Sequence, residues 1–230
     1  MKSLQHPTEP PPEGPSWSAG EHITFGGLSD KGSGYMAYSE RVGPSVLIVH
    51  DAYGLLPSVR SLTDRFVAEG FTALAVDLYE GRTADGADAA GAMAAGLDIA
   101  DTMKRLTAAV EHLSSNWHPR LGLVGFSTGA SLATMLARAV DVDATVVYYG
   151  GGAGLGQTWA ARPLLGHFAQ GDDFEPASSA LQAIASLGDA EAFSYDAPHG
   201  FANANLAGYD QSAAELALER TLEELHYQLS

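Results

Sequence analysis

Residues 121–139 read LGLVGFSTGASLATMLARA, and the change of hydrophobic rhythm inside this stretch decides how the chain folds. An apolar run ends at Val124, and after Gly-Phe-Ser-Thr-Gly the apolar residues Leu132, Met135 and Leu136 return at helical spacing. This is a strand, a tight turn and a helix, with Ser127 on the turn. Gly125 and Gly129 flank the serine as G-x-S-x-G, where small residues let strand and helix close up and let the backbone bend sharply. Such a turn lifts the serine hydroxyl clear of the backbone at the top of a sheet. The unpaired N–H groups and positive dipole end of the following helix then face any oxyanion formed there. In a chain with 26 glycines the motif alone is weakly specific, so the segments around it must carry the reading.

Those segments alternate between buried strands and amphipathic helices. SVLIVH (45–50) and FTALAVDLY (71–79) are apolar on both faces, as central parallel strands are. Between them a helix is predicted over Ser58–Ala68, with Val59, Leu62, Phe66 and Val67 on one side. From Ile99, apolar residues at Met103, Leu106, Val110, Leu113 and Trp117 mark a further helix. ATVVYYG, PLLGHFAQ and EAFSYDA add strands, helices are expected over about Pro176–Leu187 and Gln211–Leu229, and HITFGGL with GYMAYSE forms a hairpin at one sheet edge. The fold class is therefore α/β, a mostly parallel sheet with helices on both faces. Residues 81–96, rich in Ala, Gly and Asp, are weakly helical and form a cover over the strand tips.

Composition bounds the function. The 230 residues fit one domain over 21–230, preceded by a flexible arm over residues 1–20 whose first 16 positions hold five of the 11 prolines. A net charge of −16 with only 12 Lys and Arg argues against nucleic acid and anionic membranes as partners. With no cysteine there is no disulfide or thiol nucleophile. A soluble cytoplasmic protein is the expectation. Gly150-Gly151-Gly152 has no following Lys-Ser or Lys-Thr and reads as a strand-tip loop, not a phosphate loop.

Ligands of such sheets bind beyond the carboxyl ends of the strands. Ser127, Asp172 and His199 each follow a predicted strand. A serine hydroxyl needs a histidine to take its proton, and the histidine needs a carboxylate on its other nitrogen. The order Ser, Asp, His is that of α/β-hydrolases. Asp173 competes with Asp172 on these grounds, whereas His50, His112, His118, His167 and His226 read as structural or solvated, and no pair of histidines has metal-ligand spacing with a third partner.

Three stretches carry a resemblance. VLIVHDAYGLLPSVRSLTDRFVAEGFTALAVDLYEG, HFAQGDDFEP and YDAPHGFAN resemble the first βαβ unit, the acid loop and the histidine loop of the dienelactone hydrolase family, over about Phe25–Leu225. The resemblance selects Asp172, four residues before Pro176, and His199. It implies an α/β-hydrolase fold, hydrolysis of a small-molecule ester or lactone without metal or organic cofactor, and an oxyanion hole from the backbone N–H groups of Thr128 and Ala52. The chain departs from the founding enzymes at several positions. Ser127 stands for their cysteine, Asp51 for a glutamate, and their two carboxylate-binding arginines fall near Gly81 or Arg82 and at Asn203. A neutral substrate is implied. Tyr53, Tyr79 and Phe201 are expected to line the pocket, and Asp51 to hold its loop by accepting a hydrogen bond. An amide or thioester hydrolase, or a non-catalytic small-molecule receptor, would use the same scaffold.

Overall fold

The computed structural model describes residues 20–38, 43–118, 120–152 and 163–230. The Pro-rich arm, Gly20 aside, lies outside them, as do Ser39 and Glu40 of the expected hairpin. The elements follow in the order β1 (Glu21–Phe25), β2 (Gly32–Ala37), β3 (Ser45–Val49), α1 (Pro57–Ala68), β4 (Thr72–Val76), α2 (Ala87–Ala95), α3 (Ile99–Asn116), β5 (Leu121–Phe126), α4 (Thr128–Ala139), β6 (Ala144–Tyr148), β7 (Leu164–Gly171), α5 (Ala177–Ala185), β8 (Ala190–Pro198) and α6 (Gln211–Leu229).

The strands form one sheet in the order β1-β2-β4-β3-β5-β6-β7-β8. The β1–β2 and β2–β4 pairs are antiparallel and the rest are parallel. Along the central strands, alternate residues enter opposite cores. Val46 and Ile48 join Phe66, Val67, Leu218 and Leu225 on the face covered by α1 and α6. Leu47 and Val49 join Leu106, Leu113, Leu132 and Leu136 on the face covered by α3 and α4. Two covered faces explain why β3 is apolar throughout rather than alternating. Truncating a fully buried residue such as Leu47 or Leu113 to Ala should cost about 2–5 kcal/mol.

Local chemistry sets where elements stop. The strand expected to run to Tyr79 ends at Val76 because the Asp77 carboxylate accepts the N–H groups of Tyr79 (3.0 Å) and Gly81 (2.6 Å), drawing the chain into a turn. Asp98 and Asp210 cap α3 and α6 by accepting from Asp101 and Ala213. Helix α2 has no side-chain cap and buries only Ala90.

The chain leaves β3 toward β4 on one side and later fills β5 on the other. This reversal of strand order opens a crevice beyond the ends of β3 and β5. The register pairs Val49 with Gly125, so the loop after β3 and the turn after β5 face one another across it.

Candidate active site

Ser127 occupies φ 51°, ψ −115°, a left-handed conformation that a non-glycine residue seldom takes and that clusters at functional sites. The glycines around it make the turn possible. A Cβ at Gly125 would lie 2.5 Å from the Gly129 carbonyl oxygen, one at Gly129 would run into the carbonyls of Val49 and His50, and one at Gly150 would sit 2.6 Å from the Ser127 carbonyl oxygen. Helix α4 is thereby seated directly on the end of β3. The backbone N–H groups of Ala52 and Thr128 have no acceptor among the described residues.

Ser127, His199 and Asp172 form one hydrogen-bonded line across 72 residues of sequence. Ser127 Oγ is 2.9 Å from His199 Nε2, and His199 Nδ1 is 2.7 Å from Asp172 Oδ2. With the carboxylate accepting, Nδ1 carries the proton and Nε2 is left to accept from the serine hydroxyl. The Asp172 side chain is 1% exposed and the His199 side chain 22%. Asp172 Oδ1 accepts the N–H groups of Phe174 (2.8 Å) and Glu175 (3.0 Å), which fixes the carboxylate in its loop. Asp173 is exposed, so burial and distance single out Asp172. The rings of Tyr149 and Phe174 lie 5.0 and 4.9 Å from that of His199 and brace it from two sides.

These groups open on a cavity of about 440 Å³ whose walls include Asp51, Ala52, Tyr53, Ser127, Thr128 and His199. One face of α2 also lines it, together with Tyr149, Phe174 and Leu206, which the sequence did not single out. The cover expected over residues 81–96 is thus a helix beside the site, but Tyr149 left no local signal. It follows a strand like any core aromatic, and its φ of +37° is a product of the tertiary turn.

The remaining candidates are not among the lining residues of this cavity. Tyr79 is 1% exposed, its ring lies 5.2 Å from that of His50, and burial together with the nearby Asp51 charge pushes its phenol up to about 12. Phe201 is fully buried against Tyr149 and Tyr195. Arg82 is exposed and its Nε donates to the Tyr79 carbonyl. Asn203 is buried, and its Nδ2 donates to Asp51 Oδ2 at 2.7 Å while its Oδ1 accepts from the Ser58 hydroxyl. The other Asp51 oxygen accepts the Tyr53 N–H at 2.9 Å. One carboxylate therefore both shapes its own turn and ties the loop after β3 to the loop after β8.

His50 is fully buried, donates from Nδ1 to the Asp51 carbonyl and accepts the Leu78 N–H at Nε2, and burial lowers its pKa. Among the described residues no group of three or more His, Cys, Asp or Glu side chains is placed to hold a metal ion, and no helix is long and apolar enough to cross a membrane.

Known proteins resemble this chain in sequence and in fold. The chain is 32% identical over 144 residues to Protein usf of Aquifex pyrophilus, covering 57% of this chain and 62% of that protein. It is 29% identical over 201 residues to the carboxymethylenebutenolidase of Pseudomonas putida, covering 78% and 84%. In structure it is similar to a dienelactone hydrolase-like promiscuous phosphotriesterase from metagenomic libraries, with a TM-score of 0.76 at 19% identity over 92% of this chain and 98% of that one, a likeness of fold. The model of the dienelactone hydrolase family matches residues 33–229, a span that holds the serine turn, the acid loop and the histidine loop, and the chain belongs to that family.

Proposed function

We propose that this protein hydrolyses a carboxylic ester or lactone through an acyl-enzyme on Ser127. The observation that carries the reading is the unbroken line from Asp172 through His199 to a strained serine hydroxyl on the wall of a ligand-sized cavity. Ser127 Oγ attacks the carbonyl carbon while its proton passes to His199 Nε2. The tetrahedral oxyanion is received by the N–H groups of Thr128 and Ala52, neither of which is committed to another group among the described residues. His199 then returns the proton to the departing alkoxide, the C–O bond breaks and the acyl group stays on the serine. Water, deprotonated by His199, attacks the acyl carbon, and collapse of the second intermediate frees the acid and restores the serine hydroxyl. Asp172 holds the Nδ1–H tautomer throughout and balances the imidazolium. Asp51 is a positioning residue, fixing the Ala52 loop through Tyr53 and Asn203. The curated carboxymethylenebutenolidases among the relatives support a lactone or ester as the bond cleaved.

An alkyl fluorophosphonate tests this directly. Its adduct should map by mass spectrometry to Ser127 and should stop turnover of 4-nitrophenyl esters in step with labelling. Labelling elsewhere, or labelled protein that keeps its activity, removes the proposal.

A further inference from the structure

The two donors proposed for the oxyanion are held in different ways. The Thr128 N–H belongs to the first turn of α4, which the close approach of Gly129 to the carbonyls of Val49 and His50 locks onto the end of β3. The Ala52 N–H lies in the turn after β3, where no helix fixes its direction. It shares a peptide unit with the Asp51 carbonyl. A peptide is planar and trans, so its C=O and N–H point opposite ways, and whatever grips the oxygen aims the N–H.

That grip comes from His50. Its Nδ1 is 2.7 Å from the Asp51 carbonyl oxygen, and its Nε2 is 3.2 Å from the Leu78 nitrogen. A backbone N–H can only donate, so Nε2 must accept, and the neutral ring carries its proton on Nδ1, toward the carbonyl. Burial lowers the pKa of His50 against the opposing charges of Asp51 and Asp77, which keeps the ring neutral. The Gly54 N–H also reaches the Asp51 oxygen, but at 3.4 Å. The Asp51 side chain, bonded to Tyr53 and Asn203, fixes the residue without gripping the peptide that follows it.

The neighbouring strand holds the ring in turn. Leu78 lies in the turn after β4 that the Asp77 carboxylate shapes through Tyr79 and Gly81, and the Tyr79 ring packs 5.2 Å from that of His50. His50 is fully buried, whereas Ala52 lines the cavity with Ser127. A line of dipoles therefore runs from the turn after β4 through the imidazole and the peptide joining Asp51 to Ala52. Each bond in such a line polarises the next, so a donor at the carbonyl also strengthens the N–H at the other end.

We infer that His50 is a positioning residue of the reaction, setting the direction of the Ala52 N–H through the carbonyl of the same peptide unit. The inference rests on Ser127 as nucleophile and Ala52 as an oxyanion donor, and the experiment separates it from that reading. Full-length His50→Leu and His50→Asn both remove the acceptor at Nε2. The Asn amide nitrogen, as many bonds from the backbone as Nδ1, keeps a donor for the Asp51 carbonyl. The probes are 4-nitrophenyl acetate, trifluoromethyl hexyl ketone, which takes up the serine oxygen to give a tetrahedral oxyanion, and methyl hexyl ketone, which binds without adding. His50→Leu should lower kcat/KM for the ester and the affinity for the trifluoromethyl ketone together by about ten- to a hundred-fold, with methyl hexyl ketone held within about two-fold, because a donor is misaimed and not lost outright. His50→Asn should recover most of both losses. In the wild-type protein, NMR should show His50 protonated at Nδ1 and the Ala52 amide proton moving downfield when the trifluoromethyl ketone adds, a measurement that decides even where a variant does not fold. A wild-type His50 protonated at Nε2, an Ala52 amide unmoved by the adduct, no loss in His50→Leu, or equal losses in His50→Leu and His50→Asn overturns the positioning role and leaves the hydrolase reading standing. Ester turnover that survives Ser127→Ala removes the reading and the role together.

Discussion

His199 and His167 belong to adjoining parts of the molecule, one just past the end of β8 and the other inside β7, and both have hydrogen bonds at each ring nitrogen. His199 stands between a carboxylate and a hydroxyl that opens on a cavity. His167 stands between two hydroxyls, those of Tyr195 (2.8 Å) and Thr221 (3.0 Å), with Tyr148 bonded in turn to Thr221. It is fully buried, and burial with the nearby Arg220 charge pushes its pKa down to about 3. The same residue type thus stands in one place half-buried between a carboxylate and a serine hydroxyl beside a cavity, and in the other as a neutral strut in the core. What separates the roles is the partner on the far nitrogen and a path for a reacting atom to the near one.

The sharpest way to break this contrast is at the serine. Ser127→Ala should fold normally and lose about 10³-fold or more in kcat/KM for esters, because residues acting as one unit fail together. Near wild-type turnover with unchanged circular dichroism would falsify the elbow assignment. The acid loop comes next. Asp172→Asn should cost about 10³–10⁴-fold by favouring the wrong imidazole tautomer, whereas Asp173→Asn, at an exposed position, should change kcat little. Equal losses would show that loop charge, and not the bond to Nδ1, is what His199 requires.

Smaller effects are expected where the two loops are tied together. Asp51→Ala leaves the Tyr53 N–H and the Asn203 amide without an acceptor, and a loss of about 1–3 kcal/mol per buried group left unpaired corresponds to roughly five- to 150-fold if it falls on the transition state. Asp51→Asn keeps an oxygen for Tyr53 but sets one amide N–H against another at Asn203, whose own oxygen is already engaged by Ser58 and Asn205. Pairing Asp51→Asn with Asn203→Asp rebuilds donor and acceptor in reverse and should recover most of the lost kcat/KM. Failure of that rescue would mean that the charge at position 51 itself matters.

The core histidine should answer in stability and not in rate. Because the folded-state pKa lies below the ordinary 6.5, the unfolded chain takes up the proton first. Stability is therefore complete above about pH 6.5 and lost as pH falls toward about 3, at up to ~1.4 kcal/mol per pH unit from this group. His50, also lowered by burial, acts in the same direction. His167→Phe should remove its share of that slope, cost about 1–3 kcal/mol by leaving Tyr195 and Thr221 each short of a partner, and leave activity per folded molecule within about two-fold. Urea melts between pH 4 and 7 with kcat at neutral pH check both halves, and a large loss of kcat would mean that the core network also positions the site.

Sequence reading reached far in this chain because much of what it needed is local. Two-sided apolar runs specify buried parallel strands, helical spacing specifies the helices, and a tight Gly-flanked turn specifies the serine, so fold class, strand order along the chain and the line Ser127, His199 and Asp172 follow from short windows and from the resemblance of three loops. The pocket aromatics were legible only as aromatics. Tyr79 and Phe201 near strand ends carry the same signal as Tyr53, and whether such a ring faces a cavity or a core depends on what packs behind it, which no local window contains.

The tertiary structure decided the rest. Asp51 and Asn203 are 152 residues apart, and their bond exists because β3 lies next to β5 and the loop after β8 folds back across the sheet to meet it. The resemblance of the acid loop selects Asp172 over Asp173, and the fold adds the contact, bringing its carboxylate to 2.7 Å from His199. Helix α2, whose composition signalled only weak helicity, became a cavity wall because the chain beyond β4 returns over the strand tips, where small side chains leave room instead of filling it. Local physics wrote the elements and the order of Ser127, Asp172 and His199 into the sequence. Closing distances across the sheet, and with them the shape and charge of the cavity, required the whole fold.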